Sequence, residues 1–292
     1  MGPANVGGGW VRGADDARIG GGGAAAAGRS ARGAVGTLVL VLTLQAAAAH
    51  AQVASSEPPD RAPGFLSNYD FHISLEAISN DDPRFTWIGR VGGDFDLIDL
   101  GWGRLNLLAD YEVIMGDEFR PFDTNQGNYT LQASVAFPVR GNDLSLVFHH
   151  VSRHLADRPK RASVAWNVLG VHMRRRFVRD ATALDIGAGL GSTVQHSSVE
   201  YAWKADAGAR IAQGVRRWLQ VFADGSVEWF GIDEARSSRP TQWTGQVEVG
   251  IRMAGRDGDV EMFVGYGRRA DAYPTETAAR RWPVVGVRVV GR

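Results

Sequence analysis

No cysteine occurs among the 292 residues. Thiol catalysis, zinc–thiolate sites and disulfides are excluded with it. Net charge is missing too, since 32 Lys and Arg stand against 32 Asp and Glu. A nucleic-acid binder carries a net basic footprint, so no nucleic-acid partner is expected. Past residue 52, no apolar run approaches the roughly eighteen residues of a spanning helix. If the mature chain enters a membrane, it does so without helices.

One shorter apolar run is present near the N-terminus. Arg29 and Arg32 precede VGTLVLVLTLQAAAA (35–49), and Ala49-His50-Ala51 follows as an A-x-A site. Basic flank, apolar core and small-residue site are the order of a secretory signal peptide. Cleavage is expected after Ala51, leaving 1–51 as leader and signal peptide. Residues 1–28 are rich in Gly and Ala and resemble no fold. A long leader and a misplaced start codon both accommodate them. Residues 52–68 (QVASSEPPDRAPGFLSN) read as a periplasmic tail or a short plug.

From residue 69 onward the chain alternates. In 129–137, Tyr129, Leu131, Ala133, Val135 and Phe137 share one face, opposite Thr130, Gln132, Ser134 and Ala136. A period of two is a strand with one apolar and one polar face. The pattern recurs in 243–253, where Val247, Val249 and Ile251 oppose Gln246, Glu248 and Arg252. Twelve such segments are expected: 69–79, 84–96, 102–114, 126–138, 142–154, 162–176, 180–193, 200–213, 217–230, 241–254, 258–269 and 282–291. Most exceed the roughly 5–6 residues of an average soluble strand and match the roughly 9–11 of a membrane-spanning one.

Connectors alternate in length as well. DAYPTETAARR, IDEARSSRP and GDEFRPFDTNQ are long, whereas AGRDGD, GVR and VRD are short. The eight Trp beyond the leader (87, 102, 166, 203, 218, 229, 243, 282) all lie near strand ends, as in aromatic girdles at two membrane interfaces. The polar faces carry Arg90, Asp94, Asp110, Glu112, Lys204, Asp206, Arg210, Glu248 and Arg252. Charges of both signs on one face suit a hydrated, cross-paired lumen. Unpaired in a dry core, they would be costly.

With these features, residues 69–292 resemble a Gram-negative outer-membrane β-barrel. The resemblance implies an all-β fold: a transmembrane antiparallel up-and-down barrel of about twelve strands, placed in the bacterial outer membrane. It also implies both termini in the periplasm, outer-membrane lipid and lipopolysaccharide as neighbours, and insertion by the barrel assembly machinery. The terminal VVGVRVVGR departs from the class, which usually ends in an aromatic residue.

Residues 148–159, FHHVSRHLADRP, hold three of the chain's seven histidines. Leu144, Leu146 and Phe148 mark the lipid face, and counting on by twos places His150, Ser152 and His154 there. Side chains at i and i+2 of a strand sit about 7 Å apart on the same face. An imidazole so placed can deprotonate a hydroxyl, provided a third group orients the ring. His150-x-Ser152 near an outer rim resembles the outer-membrane lipid A deacylases. That resemblance implies His150 as base and Ser152 as nucleophile. The family's downstream Glu is absent, and Val164 stands in its place. Asp157 is the candidate third group. Arg153, Arg158, Lys160 and Arg161 are candidate lipopolysaccharide contacts. His150 and His154 lie about 13 Å apart on a strand, so they cannot share an ion, and neither metal nor cofactor is expected.

Three functions follow as expectations. The first is a structural, binding or passive-transport barrel. The second is an acyl-ester hydrolase of lipid A or phospholipid. The third is a narrow channel for small solutes.

Overall fold

The computed structural model describes residues 62–159 and 163–291. Alternation builds a single antiparallel sheet that closes on itself. Its strands are β1 (Gly64–Phe65), β2 (Tyr69–Ile78), β3 (Trp87–Asp99), β4 (Arg104–Gly116), β5 (Asp123–Val139), β6 (Asn142–Leu155) and β7 (Val164–Arg179). They continue as β8 (Thr182–Ser197), β9 (Tyr201–Arg216), β10 (Leu219–Ile232), β11 (Gln242–Ala254), β12 (Gly258–Arg269) and β13 (Arg280–Gly291). Each of β2 to β13 pairs with its neighbour in sequence. The last returns to the first, from Val284↔Ile78 to Gly291↔Phe71. Closure leaves no exposed sheet edge, which lipid would not tolerate. All twelve expected segments are strands, with boundaries shifted by up to four residues, from 193 to Ser197 at the widest.

The described part of the 52–68 tail runs along the end of β3, with Gly64 opposite Asp99 and Phe65 opposite Ile98. Residues 52–61, and the signal peptide expected over 1–51, lie outside the described residues.

One rim carries the tight turns 140–141, 180–181 and 217–218, the start of β2 and the end of β13. At Arg140-Gly141 both φ angles are positive (51° and 78°). That is the turn geometry whose twist matches two antiparallel strands, and glycine adopts it without steric cost. The opposite rim carries the longer connectors 79–86, 117–122, 156–163, 233–241 and 270–279.

Burial is inside-out. Leu146 is 59% exposed beside Ser145 at 9%, and Val247 is 59% exposed beside Glu248 at 5%. Water would penalise that aliphatic wall by about 25 cal/mol per Å², whereas lipid does not. The wall therefore fits a bilayer. Most of the tryptophans stand on it. Trp166 and Trp282 are the exceptions to the girdle expected of all eight, because their parity turns them inward. Trp282 stacks on Phe85 at 5.6 Å, and Trp166 meets Tyr201 edge-on at 5.2 Å.

Candidate functional site

The interior is held by ion pairs. Arg90 bridges Glu76 at 2.5 Å and Glu112 at 2.9 Å. Arg269 reaches the same Glu112 at 2.6 Å, and Asn128 donates to it at 2.8 Å. Glu261 receives Arg210 at 2.5 Å, Arg252 at 2.7 Å and Arg288 at 2.9 Å, and Arg288 also holds Glu248 at 3.0 Å. Lys204 binds Glu228 at 2.6 Å and lies 3.7 Å from Asp206, which meets His172 at 3.3 Å. Asp110 bonds His72 at 2.9 Å, and Asp94 stands 3.7 Å from Arg174. The nine lumen charges read from the sequence thus each have an oppositely charged or histidine partner. Removing one partner from such a pair leaves a buried charge uncompensated, so the pairs rigidify the barrel.

Toward the long-loop rim, the 270–279 connector folds into the mouth. Ala270, Ala272 and Tyr273 are buried there. Gln126 donates to the Ala272 carbonyl at 3.2 Å and Arg153 to the Asp271 carbonyl at 2.5 Å. The Asp271 carboxylate accepts from Arg239 at 2.5 Å and from the Tyr201 hydroxyl at 2.6 Å. Below this plug, a cavity of about 700 Å³ opens among Asp94, His149, His172, Arg174, Lys204 and Asp206.

On the outer wall, β6 and β7 build a different site. His149 faces the cavity and bonds Gln132, so His150 faces outward, continuing the row of Leu144, Leu146 and Phe148. His150 lies opposite Asn167 of β7, and Ser152 opposite Ala165. The His150 Nδ1 is 2.6 Å from the Asn167 Oδ1. With the amide turned this way its oxygen accepts, an arrangement that calls for the proton on Nδ1 and leaves the Nε2 lone pair free. Asn167 Nδ2 in turn donates to the Gln195 Oε1 of β8 at 3.0 Å. Ser152 is half-buried and stands opposite the small Ala165. The rings of Tyr129 and His154 pack edge-on at 5.7 Å beside it.

Asp157, the expected third group, is not the residue bonded to His150. Asp157 takes a positive φ of 52° in the connector after β6, and its carboxylate is 3.4 Å from Arg120. Asn167, which the sequence reading missed, makes the bond to His150. Two basic residues also differ from their expected lipopolysaccharide-facing role. Arg153 points inward, to Asp271 and over the Trp166 ring at 5.5 Å. Arg158 is consumed by Glu118 and Asp123, both at 2.7 Å. Those partners hold its guanidinium above the usual arginine range, against the opposing effect of burial. Lys160 and Arg161 lie outside the described residues.

The fold is that of a transmembrane β-barrel. Among solved structures, the chain is similar to the outer membrane phospholipase A from Escherichia coli, with TM-score 0.47 and 11% identity over 78% of this chain and 98% of that one. It is similar to OmpT of Vibrio cholerae, with TM-score 0.42 and 7% identity over 77% and 96%. For the outer membrane protein Omp33 of Acinetobacter baumannii the TM-score is 0.37, with 12% identity over 77% and 97%. No protein-family model and no curated protein matches the chain. These comparisons give no support to the expected likeness to lipid A deacylases.

Proposed function

We propose that this protein is an outer-membrane acyl-ester hydrolase. Its substrate is a lipid of the outer leaflet, and its groups are Ser152, His150 and Asn167. The observation that carries the reading is the 2.6 Å bond from His150 to Asn167 on the lipid-facing wall, with Ser152 two residues on along the same face. A hydrogen-bonded His–Asn–Gln chain facing hydrocarbon is expensive for a wall that only has to seal. It suits a wall that must present a polarised nucleophile to a lipid ester at headgroup depth.

In this mechanism the Ser152 Oγ attacks the ester carbonyl, and His150 Nε2 takes its proton. The tetrahedral adduct collapses, and His150 returns the proton to the leaving alcohol oxygen. Water then attacks the acyl-serine, with His150 again as base, and releases the fatty acid while restoring Ser152. Asn167 keeps the imidazole in the productive tautomer and orientation.

In the same proposal the tight-turn rim and both barrel termini face the periplasm, and the His150 site lies in the outer leaflet. The barrel assembly machinery and lipopolysaccharide are then the expected partners. The channel reading is disfavoured by the outer half of the lumen, where Arg269–Glu112 and the 270–279 connector cross the interior. A purely structural barrel is the outcome if hydrolysis fails.

The test is mass spectrometry of phospholipids and lipid A from a Gram-negative host carrying wild type, His150→Ala or Ser152→Ala. Folding is followed in parallel by heat-dependent gel mobility. Loss of an acyl chain with the wild type alone supports the reading, and the class of lipid that loses it identifies the substrate. Unchanged lipids in a host with folded wild type would overturn it.

A further inference from the structure

We infer that Gln195 is a positioning residue for this site, delivered to the lipid-facing wall by a β-bulge. The inference rests on the hydrolase reading for its catalytic meaning, but its structural content stands alone. Along β8, Leu190, Ser192 and Val194 face outward and are exposed. Thr193 lies on the opposite parity, with its Oγ1 sealed from solvent. Unbroken alternation would send Gln195 inward with Thr193. The register instead slips between Asn167 and Val168, where Val168 faces Thr193 but Asn167 faces Gln195. The extra residue is Val194. A bulge places two successive residues of one strand against one of its partner and re-aims a side chain there. Here it keeps Gln195 on the outer wall, where its Oε1 accepts from Asn167 Nδ2 at 3.0 Å.

The bond has a chemical consequence. An asparagine side chain offers an oxygen or an NH₂ to a neighbour, depending on which way the amide is turned. Turned with oxygen toward His150, it demands a proton on Nδ1 and leaves Nε2 unprotonated and free to act as the base. Turned the other way, it donates to Nδ1 and puts the proton on Nε2, which removes the base. Gln195 turns its Oε1 toward Asn167 and engages that NH₂, which matches the first arrangement. Gln195 touches neither the nucleophile nor a substrate, so it acts only through Asn167.

Two substitutions separate positioning from general support of the barrel. Gln195→Leu keeps the bulk and removes the acceptor. Gln195→Glu keeps an acceptor and has no donor, so it enforces the productive amide orientation. The first readout is the tautomer of His150 by ¹⁵N NMR of the folded protein in detergent micelles, which requires no turnover. The wild type and Gln195→Glu are expected as the Nδ1–H form, and Gln195→Leu as a mixture. The second readout is hydrolysis of a micellar phospholipid. Gln195→Leu is expected to lower kcat about tenfold with KM unchanged, Gln195→Glu to restore it, and the Gln195→Leu, Asn167→Ala double variant to be no slower than Asn167→Ala alone. Tautomer changes in a protein that hydrolyses nothing would uphold the positioning role and sink the hydrolase. A wild-type His150 in the Nε2–H form, or tautomer and kcat both unmoved in folded Gln195→Leu, would overturn the inference.

Discussion

A single hydrogen bond separates two accounts of the outer wall, and it belongs to Asn167. Without an orienting group, His150 and Ser152 would be two polar side chains at a strand's end. With Asn167 Oδ1 at 2.6 Å, the imidazole has a partner that favours the Nδ1–H tautomer. Ser152→Ala is therefore expected to cost about 10,000-fold in kcat, and Asn167→Ala about 10–100-fold, because a misoriented base still turns over slowly. Steady-state release of fatty acid from micelles measures both. Elsewhere on the rim, Arg84 bonds the Asp82 carboxylate at 2.7 Å and lowers its pKa from the ordinary 3.8. A depressed carboxylate pKa stabilises the fold above the unfolded value and loses that contribution as pH falls through the folded one. Amide exchange in 79–86, corrected for intrinsic rate, should thus hold steady above pH 3.8 and rise below it.

At the scale of elements, the 270–279 connector behaves as an inward-folded plug and not as an outer loop. Its sequence, DAYPTETAARR, reads as polar and loop-like. Only the fold brings Arg239, Tyr201 and Arg153 around Asp271. Asp271→Ala removes the acceptor of two of those bonds. It should free the connector without unfolding the barrel, seen as trypsin cleavage near Arg280 and Arg281 at least several-fold faster than in wild type, with heat-dependent mobility retained. The bulge in β8 is an element-scale device of the same kind. It moves one side chain across the wall and shifts the β7–β8 register by one residue, with the pairing continuing on either side.

For the whole molecule, closure and inside-out burial set the behaviour. Lumen charges pair across the interior, and Arg269–Glu112 spans it just beneath the plug. Planar-bilayer recordings should accordingly show little conductance from the wild type. Glu112→Ala leaves Arg90 and Arg269 short of their shared anion, and it should raise both conductance and the sensitivity of the folded band to heat. Steady, large wild-type currents would restore the channel reading.

The number of strands, their approximate ends, the alternation of tight and long connectors and the charged interior were all legible in the sequence. Each depends on a local period of two or on turn residues such as Arg140-Gly141. The row Leu144, Leu146, Phe148, His150, Ser152 was legible for the same reason, since parity within one strand needs no neighbour. What lies across from that row was not. Pairing β6 with β7 hangs on the 156–163 connector, and a slip of one residue sets Trp166 instead of Asn167 against His150, exchanging the two faces. Asn167, Gln195 behind its bulge and the inward fold of 270–279 are all matters of register or long-range packing. The sequence alone determined a barrel and a His–Ser pair on its wall. Only the tertiary structure decided which side chain stands beside the histidine, because strand register is fixed by the closed sheet as a whole and not by any one strand.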